Sequence, residues 1–208
     1  MTTLYMTRHG ITEWNMKEGR YCGCKVVSDI DLHPLGIMQA EALAERLKDE
    51  PLKAVYSSPM KRAVQTAEKL AKPHGLEIAT VYGFRERSYG DWEGLTVRDI
   101  DEQFPGSYRQ YEEDPGAYSP PGGESGFQVG DRVIESVEII AENHPEDSVV
   151  LVTHEATNRI LFCRLLGLNV SDYRRSLVKF NASLTIIEYS DGQARLILYN
   201  DSSHLKGL

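Results

Sequence analysis

Cysteine is scarce in this chain: an odd count of 3 in 208 residues excludes the disulfide framework that staples a small secreted domain. Cys22 and Cys24 lie close together, but no further Cys or His pair with zinc spacing accompanies them, so the pair reads as two thiols in a loop and no metal is expected. Long apolar runs are also missing. No stretch approaches the roughly 20 apolar residues of a membrane span, and MTTLYMTRHG lacks the basic-then-apolar order of a secretory signal. A cytoplasmic protein with no membrane partner is therefore expected. Positive charge is in deficit, with 23 Lys and Arg against 31 Asp and Glu and a net charge of -8, which argues against a nucleic-acid partner. Repeats and low-complexity tracts are absent too.

What is present is an alternation of strand-like and helix-like segments in a chain long enough to bury a substantial core, and it fits a single α/β domain spanning 1–208. Thr2 to Thr7 and Ser148 to Thr153 are short runs rich in β-branched residues, as buried strands are. The first leads into Arg8-His9-Gly10 and the second into His154. In an open parallel sheet, ligands sit beyond the carboxyl ends of the strands, so Arg8, His9 and His154 can share one site although far apart in sequence.

A third strand, Leu52 to Tyr56, precedes Ser57-Ser58-Pro59 and a helix from Met60 to Ala71, with Ser58 read as N-cap. Arg62 then falls in the first turn, where free N–H groups and the helix dipole already favour an anion. Leu35 to Leu47 carries Ile37, Ala40, Leu43, Ala44 and Leu47 as one apolar stripe, Ser125 to Asn143 carries Phe127, Val129, Val133, Val137 and Ile140, and a further helix runs from Glu155 to Leu168. Ala182 to Tyr189 and Ala194 to Tyr199 around Ser190-Asp191-Gly192 read as an edge hairpin. Gln103 to Glu124 is rich in Pro, Gly and Tyr; it reads as a helical piece plus loop over the site, too irregular for core. Trp14 and Trp92 read as packing residues, His33 and His74 as surface, and His204 as part of a loosely ordered tail.

Thr7-Arg8-His9-Gly10-Ile11-Thr12-Glu13-Trp14-Asn15 resembles the signature of the histidine phosphatase, or phosphoglycerate mutase-like, superfamily. Further blocks follow in the family's order: Ser57-Ser58-Pro59-Met60-Lys61-Arg62-Ala63, Arg85-Glu86 with Gly90-Asp91-Trp92-Glu93-Gly94, Gly122-Gly123-Glu124-Ser125, and Val152-Thr153-His154. The resemblance implies a three-layer α/β/α sandwich with a mostly parallel central sheet and a small cap insertion at about 96–130. It implies His9 as the nucleophile that forms a phosphohistidine, with Arg8, Arg62 and a protonated His154 holding the phosphoryl oxygens and Asn15 adding an amide donor. Glu86 would protonate the leaving alkoxide and then activate water, its carboxyl kept protonated by desolvation or by the phosphate's own charge. No cofactor is implied.

The chain departs from the family at three places. Glu155 stands where glycine commonly follows the second histidine; its N–H can still face phosphate, and its carboxylate is expected to point away. Cys22, before Gly23, stands where the phosphatase branch often has glutamine, which leaves the substrate contact of that pair in question. His33 replaces a usual threonine at a helix start. The leading reading is a phosphatase for small phosphorylated metabolites. The alternative is a cofactor-dependent phosphoglycerate mutase, disfavoured because only Arg98 and Arg109 are basic between Gly90 and Gly130 while a doubly phosphorylated intermediate needs extra cations. A phosphate-binding regulator without turnover is the third. The oligomeric state is not legible; a homodimer is compatible with everything above.

Overall fold

The computed structural model describes residues 1–16, 21, 23–25 and 29–208. Among them the chain runs β1 (Thr2–Arg8), α1 (Glu13–Met16), α2 (Pro34–Leu47), β2 (Leu52–Ser57), α3 (Lys61–Ala71), β3 (Ile78–Thr80), α4 (Val97–Gln103), α5 (Ser107–Glu113), α6 (Gly126–Asn143), β4 (Ser148–Thr153), α7 (Glu155–Leu166), α8 (Tyr173–Ser176), β5 (Leu184–Ser190) and β6 (Gln193–Asp201). The six strands form one sheet in the order β3-β2-β4-β1-β5-β6. β3, β2, β4 and β1 are parallel, while β5 and β6 add antiparallel at one side. The Asp191-Gly192 turn joins that last pair with φ of 50° and 75°, the left-handed pair that a tight hairpin of this twist demands.

Strand alternation divides the core between two faces. On β4, Val149 and Leu151 point to a cluster with Val133, Val137 and Ile140 of α6 and Leu161, Phe162 and Leu165 of α7. Val150 and Val152 point the other way, to Leu43 and Leu47 of α2 and Ala63, Ala67 and Leu70 of α3. The result is a sheet with helices on both faces, the layered architecture that parallel strands require. Among the described residues no helix is long and apolar enough to cross a membrane.

Several local expectations need revision. Ser58 does not cap α3; the helix begins at Lys61 with Met60 as its N-cap, because the Ser58 hydroxyl accepts from the Met60 N–H at 3.3 Å and lies 2.7 Å from His154 Nε2. Ile37 is 37% exposed, and the α2 stripe instead contains buried Gly36. Phe127 is likewise exposed. The Pro/Gly/Tyr-rich segment is not coreless: Trp92, Ile100, Tyr89 and Tyr111 are buried together, with Tyr108 and Tyr118 packed around them. The segment 96–130 comprises α4, α5, the loop after them and the first residues of α6, a helix whose later turns belong to the main core. His204 is docked, its Nε2 lying 2.9 Å from the Ala182 carbonyl, and so ties the tail to the turn beside β1.

Gly36 lets the chain leaving β1 cross α2 at backbone contact: a Cβ there would lie 2.1 Å from the Ile11 carbonyl oxygen, and one on Gly10 would lie 2.3 Å from that of Gly36. Behind Arg8 lies an unexpected group, Lys179, which is only 2% exposed. Its ammonium donates to the Thr185 hydroxyl at 3.0 Å and the Ser183 carbonyl at 3.4 Å. Burial, with Arg8 nearby, pushes its pKa down to about 7.

Gly36→Ala gains up to about 1 kcal/mol of intrinsic helix propensity, but the backbone clash outweighs it, and a net loss of about 1–3 kcal/mol is expected in urea unfolding; a stabilised variant would contradict the close approach. Lys179 binds its proton more weakly folded than unfolded, so between pH 7 and the ordinary lysine value near 10.4 the unfolded chain holds more protons and this residue makes stability rise with pH. Lys179→Met should therefore raise the melting temperature more at pH 6 than at pH 9, and the reverse order would show the amine to be charged without cost.

Candidate active site at the strand ends

The site begins with strand pairing. β1 and β4 run in parallel register with Arg8 opposite Thr153, and the His9 N–H extends the ladder by donating to the Thr153 carbonyl at 3.0 Å. The next residue on β4's side, His154, caps α7 in extended conformation. The two imidazoles therefore meet edge to face with centroids 5.1 Å apart, both buried.

The His9 ring has a defined polarity. Its Nδ1 lies 2.7 Å from the Gly10 carbonyl, which can only accept, so Nδ1 carries the hydrogen. Nε2 is left as the lone-pair nitrogen and accepts from Arg62 Nε at 3.2 Å. Burial, with the adjacent Arg62 and Arg8 charges, holds the His9 pKa well below the usual imidazole value. His154 is held low for the same reasons: burial first, then Arg62, His9 and Arg8. The expected protonated His154 is thus disfavoured in this site, because cations surround it and water does not. Its Nδ1 is buried with no hydrogen-bond partner among the described residues.

Arg62 is fully buried and also donates from Nη2 to the Gly23 carbonyl at 2.9 Å. Gly23 thereby orients an arginine rather than lining the cavity, and a Cβ on it would collide with the Glu93 carboxylate. Cys22 lies outside the described residues. Arg8 is fixed through Nη1 to the Lys179 carbonyl at 3.1 Å, while its buried Nε has no partner among the described residues.

Glu86 reaches the same place from the loop after β3. Oε1 accepts from the Arg87 N–H, the Thr157 N–H and the Thr157 hydroxyl at 2.9, 3.1 and 3.0 Å, while Oε2 accepts from the Ala156 N–H at 3.2 Å. The first turn of α7 thus cradles this carboxyl group, as helix N-termini do. The loop itself is held by Arg132, which forks onto Glu124 and donates to the Gly83, Arg85 and Glu86 carbonyls.

A cavity of about 200 Å³ opens over His9, lined by Arg8, Asn15, Tyr21, Glu86, Tyr89, Tyr111, Glu155, Ala156, Arg159, Tyr173 and Arg174. Asn15 turns its Oδ1 to the Thr12 N–H and hydroxyl, both at 3.0 Å, which leaves its amide hydrogens for the cavity. Glu155 does not point away as expected. Its carboxylate faces inward, drawn by Arg8 Nη2 at 2.9 Å and Arg159 Nη2 at 2.5 Å.

Sequence reasoning missed Arg159 and Arg174, two cations that reach the cavity from α7 and α8. Arg159 had a usable signal, lying one helical turn after Glu155; Arg174, stacked 4.7 Å over Tyr111, had none in its own segment. Arg132 was missed as well, because its partners are the Glu124 carboxylate, eight residues back and before the helix begins, and backbone carbonyls that no spacing rule reveals.

Residues 4–202 match the model of the histidine phosphatase superfamily (branch 1). Over 205 residues the chain is 34% identical to phosphoserine phosphatase 1 of Hydrogenobacter thermophilus, covering 99% of this chain and 95% of that one. It is 37% identical over 193 residues to the glucosyl-3-phosphoglycerate phosphatase of Mycobacterium tuberculosis, covering 88% and 83%. The solved structure of Bacillus stearothermophilus YhfR superimposes with a TM-score of 0.91 at 32% identity, covering 99% of this chain and 100% of that one. Strand-end histidines, paired arginines and a match running almost end to end make this chain a member of the histidine phosphatase superfamily, branch 1.

Proposed function

We propose that this protein is a metal-independent phosphatase that hydrolyses small phosphomonoesters through a phosphohistidine on His9. One observation carries the reading: beside His9, whose Nε2 meets the Arg62 guanidinium, the flanking Arg8 and the facing His154 each bury a nitrogen, Arg8 Nε and His154 Nδ1, that has no partner among the described residues. Buried donors left unsatisfied are costly, so a group of such donors is a site shaped for oxygens that arrive with a ligand. A phosphoryl group supplies those oxygens.

In the first step, His9 Nε2 attacks phosphorus while the ester P–O bond breaks. The Gly10 carbonyl, holding Nδ1–H, stabilises the charge that develops on the ring. Arg8, Arg62, His154 Nδ1–H and the Asn15 amide hold the equatorial oxygens, which is most of what phosphoryl transfer asks of a protein. A neutral His154 serves here as a donor, and a bound dianion itself favours its protonation. Glu86 gives its proton to the departing alkoxide. Oε2 is the oxygen placed to carry that proton, since it accepts only the Ala156 N–H while Oε1 is engaged by three donors. In the second step the Glu86 carboxylate takes a proton from water, water oxygen attacks phosphorus, and the P–N bond breaks to restore neutral His9.

The relatives named above support the reaction class and differ in the substrate their names carry, so the leaving group is a matter of this chain's own cavity. The mutase alternative gains something from Arg159 and Arg174, which supply the extra cations that the segment from Gly90 to Gly130 lacked. The cavity's small volume and the Tyr21, Tyr89, Tyr111 and Tyr173 walls favour hydrolysis of a small ester over retention of a doubly phosphorylated one.

Purified protein with chelator present should release phosphate from small alkyl phosphates and yield an acid-labile, base-stable phosphoenzyme on rapid quench. The phosphoenzyme should be lost in His9→Ala; isomerisation of 3-phosphoglycerate without release would instead establish the mutase. Glu86→Gln should lower kcat/KM for alkyl phosphates about 10²- to 10³-fold, and for aryl phosphates, whose leaving groups need little protonation, less than about tenfold. Equal losses on both classes would move the proton donor elsewhere.

A further inference from the structure

We infer that Glu93 is a positioning residue of the phosphoryl site: its carboxylate fixes the peptide group that aims Arg62, and so sets that guanidinium against the transferred group without touching it. The inference rests on the phosphatase reading for its setting and adds a residue to its machinery.

Glu93 is buried, yet it does not line the cavity over His9, so it is not placed to exchange a proton with a substrate. Its two oxygens are turned to main-chain donors. Oε1 accepts from the Cys24 N–H and the Tyr89 N–H, both at 3.2 Å, and Oε2 accepts from the Lys25 N–H at 2.8 Å. The Cys24 N–H belongs to the same peptide group as the Gly23 carbonyl, and that carbonyl accepts from Arg62 Nη2 at 2.9 Å. A trans peptide is planar, with its N–H and C=O pointing in opposite directions. Holding the N–H toward Glu93 therefore turns the oxygen toward Arg62.

The opposite orientation of this peptide group is closed to it. Its N–H would face the guanidinium, donor against donor, and its oxygen would face the carboxylate, acceptor against acceptor. The negative charge of Glu93 also polarises the peptide, which strengthens the acceptor that Arg62 meets. Neighbouring main-chain pairs keep the two segments side by side: the Tyr21 N–H donates to the Leu95 carbonyl at 3.1 Å, and the Gly94 N–H to the Tyr21 carbonyl at 2.9 Å. Arg62, held in this way, places Nε 3.2 Å from His9 Nε2, the nucleophilic nitrogen of the proposed reaction. A donor misplaced there loses much of its effect on the transition state.

Glu93→Gln tests the inference, since it keeps the shape and replaces one acceptor oxygen by a donor that must face an N–H group. Arg62 acts on the phosphoryl group and not on the leaving group. The variant's kcat/KM should therefore fall about 10- to 100-fold for alkyl and aryl phosphates alike, the two losses agreeing within about threefold, and inorganic phosphate should bind about tenfold more weakly in calorimetric titration. In an Arg62→Lys background, where the planar fork is gone, the same substitution should cost less than about threefold. Asp91→Asn, which removes the exposed ion pair to Lys25 and leaves Glu93 in place, should stay within about twofold of wild type. Should Glu93→Gln fail to fold, Glu93→Asp, which draws the carboxylate back by one methylene, is read by the same criteria. A loss confined to alkyl esters overturns the inference, because it would put Glu93 in the service of Glu86 through the Tyr89 N–H. So does a loss undiminished in the Arg62→Lys background, an equal loss in Asp91→Asn, or a folded variant of full activity. If wild type releases phosphate from no ester, it is the phosphatase reading that has failed, and the affinity for inorganic phosphate across the same variants decides the role of Glu93.

Discussion

The parallel pairing of β1 with β4 is the constraint on which the rest of the molecule depends. Six residue pairs, from Thr3 with Ser148 to Arg8 with Thr153, fix where the two strands end relative to one another. Because side chains alternate along a strand, a slip of one residue would send Leu4 and Met6 into the wrong helical layer as well as parting the two histidines. The apolar pattern that builds the core and the placement of the imidazoles are therefore one requirement. Burial of the core enforces the geometry of the site.

That geometry concentrates positive charge in a place that excludes water. Arg62 is fully buried, Arg8 nearly so, and both histidines respond by favouring their neutral forms. The energetic tension is directional, for an anion relieves it and a cation worsens it. α7 answers the tension twice, through backbone donors that hold Glu86 and through the Glu155 carboxylate that spans Arg8 and Arg159. One helix N-terminus thus serves both the Glu86 carboxyl group and the charge balance of the site.

Much of this was legible in the residues. β4 was read with its observed limits, β1 and β2 to within one residue, and the edge hairpin was plain from Asp191-Gly192. Strand periodicity and turn chemistry are local, and a sequence displays them directly. What stayed hidden depends on partners distant in the chain. Ser58 looks like a helix cap until His154, 96 residues away, is seen beside its hydroxyl. Glu155 was expected to avoid a phosphate site because Arg159 was not counted. The tyrosine-rich segment looked coreless because its core is built from its own rings and from Trp92, in edge-to-face and stacked contacts that follow no strand or helix period. Lys179 gave no sign of burial, since a lysine near a strand normally reads as solvated.

The attachment of the tyrosine-rich cap has a consequence for how this protein can change. Arg87, fully buried, donates to the carbonyls of Pro115, Tyr118 and Glu124 and to the Tyr173 hydroxyl. Three of those four acceptors belong to the main chain, which every residue type possesses. Exposed side chains of that segment are consequently released from the duty of holding it in place, whereas Tyr111, which lines the cavity, is bound into the segment's own core. Mutation can vary those exposed positions while the strand-end site remains assembled, and a lineage of such enzymes can change this surface on an unaltered frame.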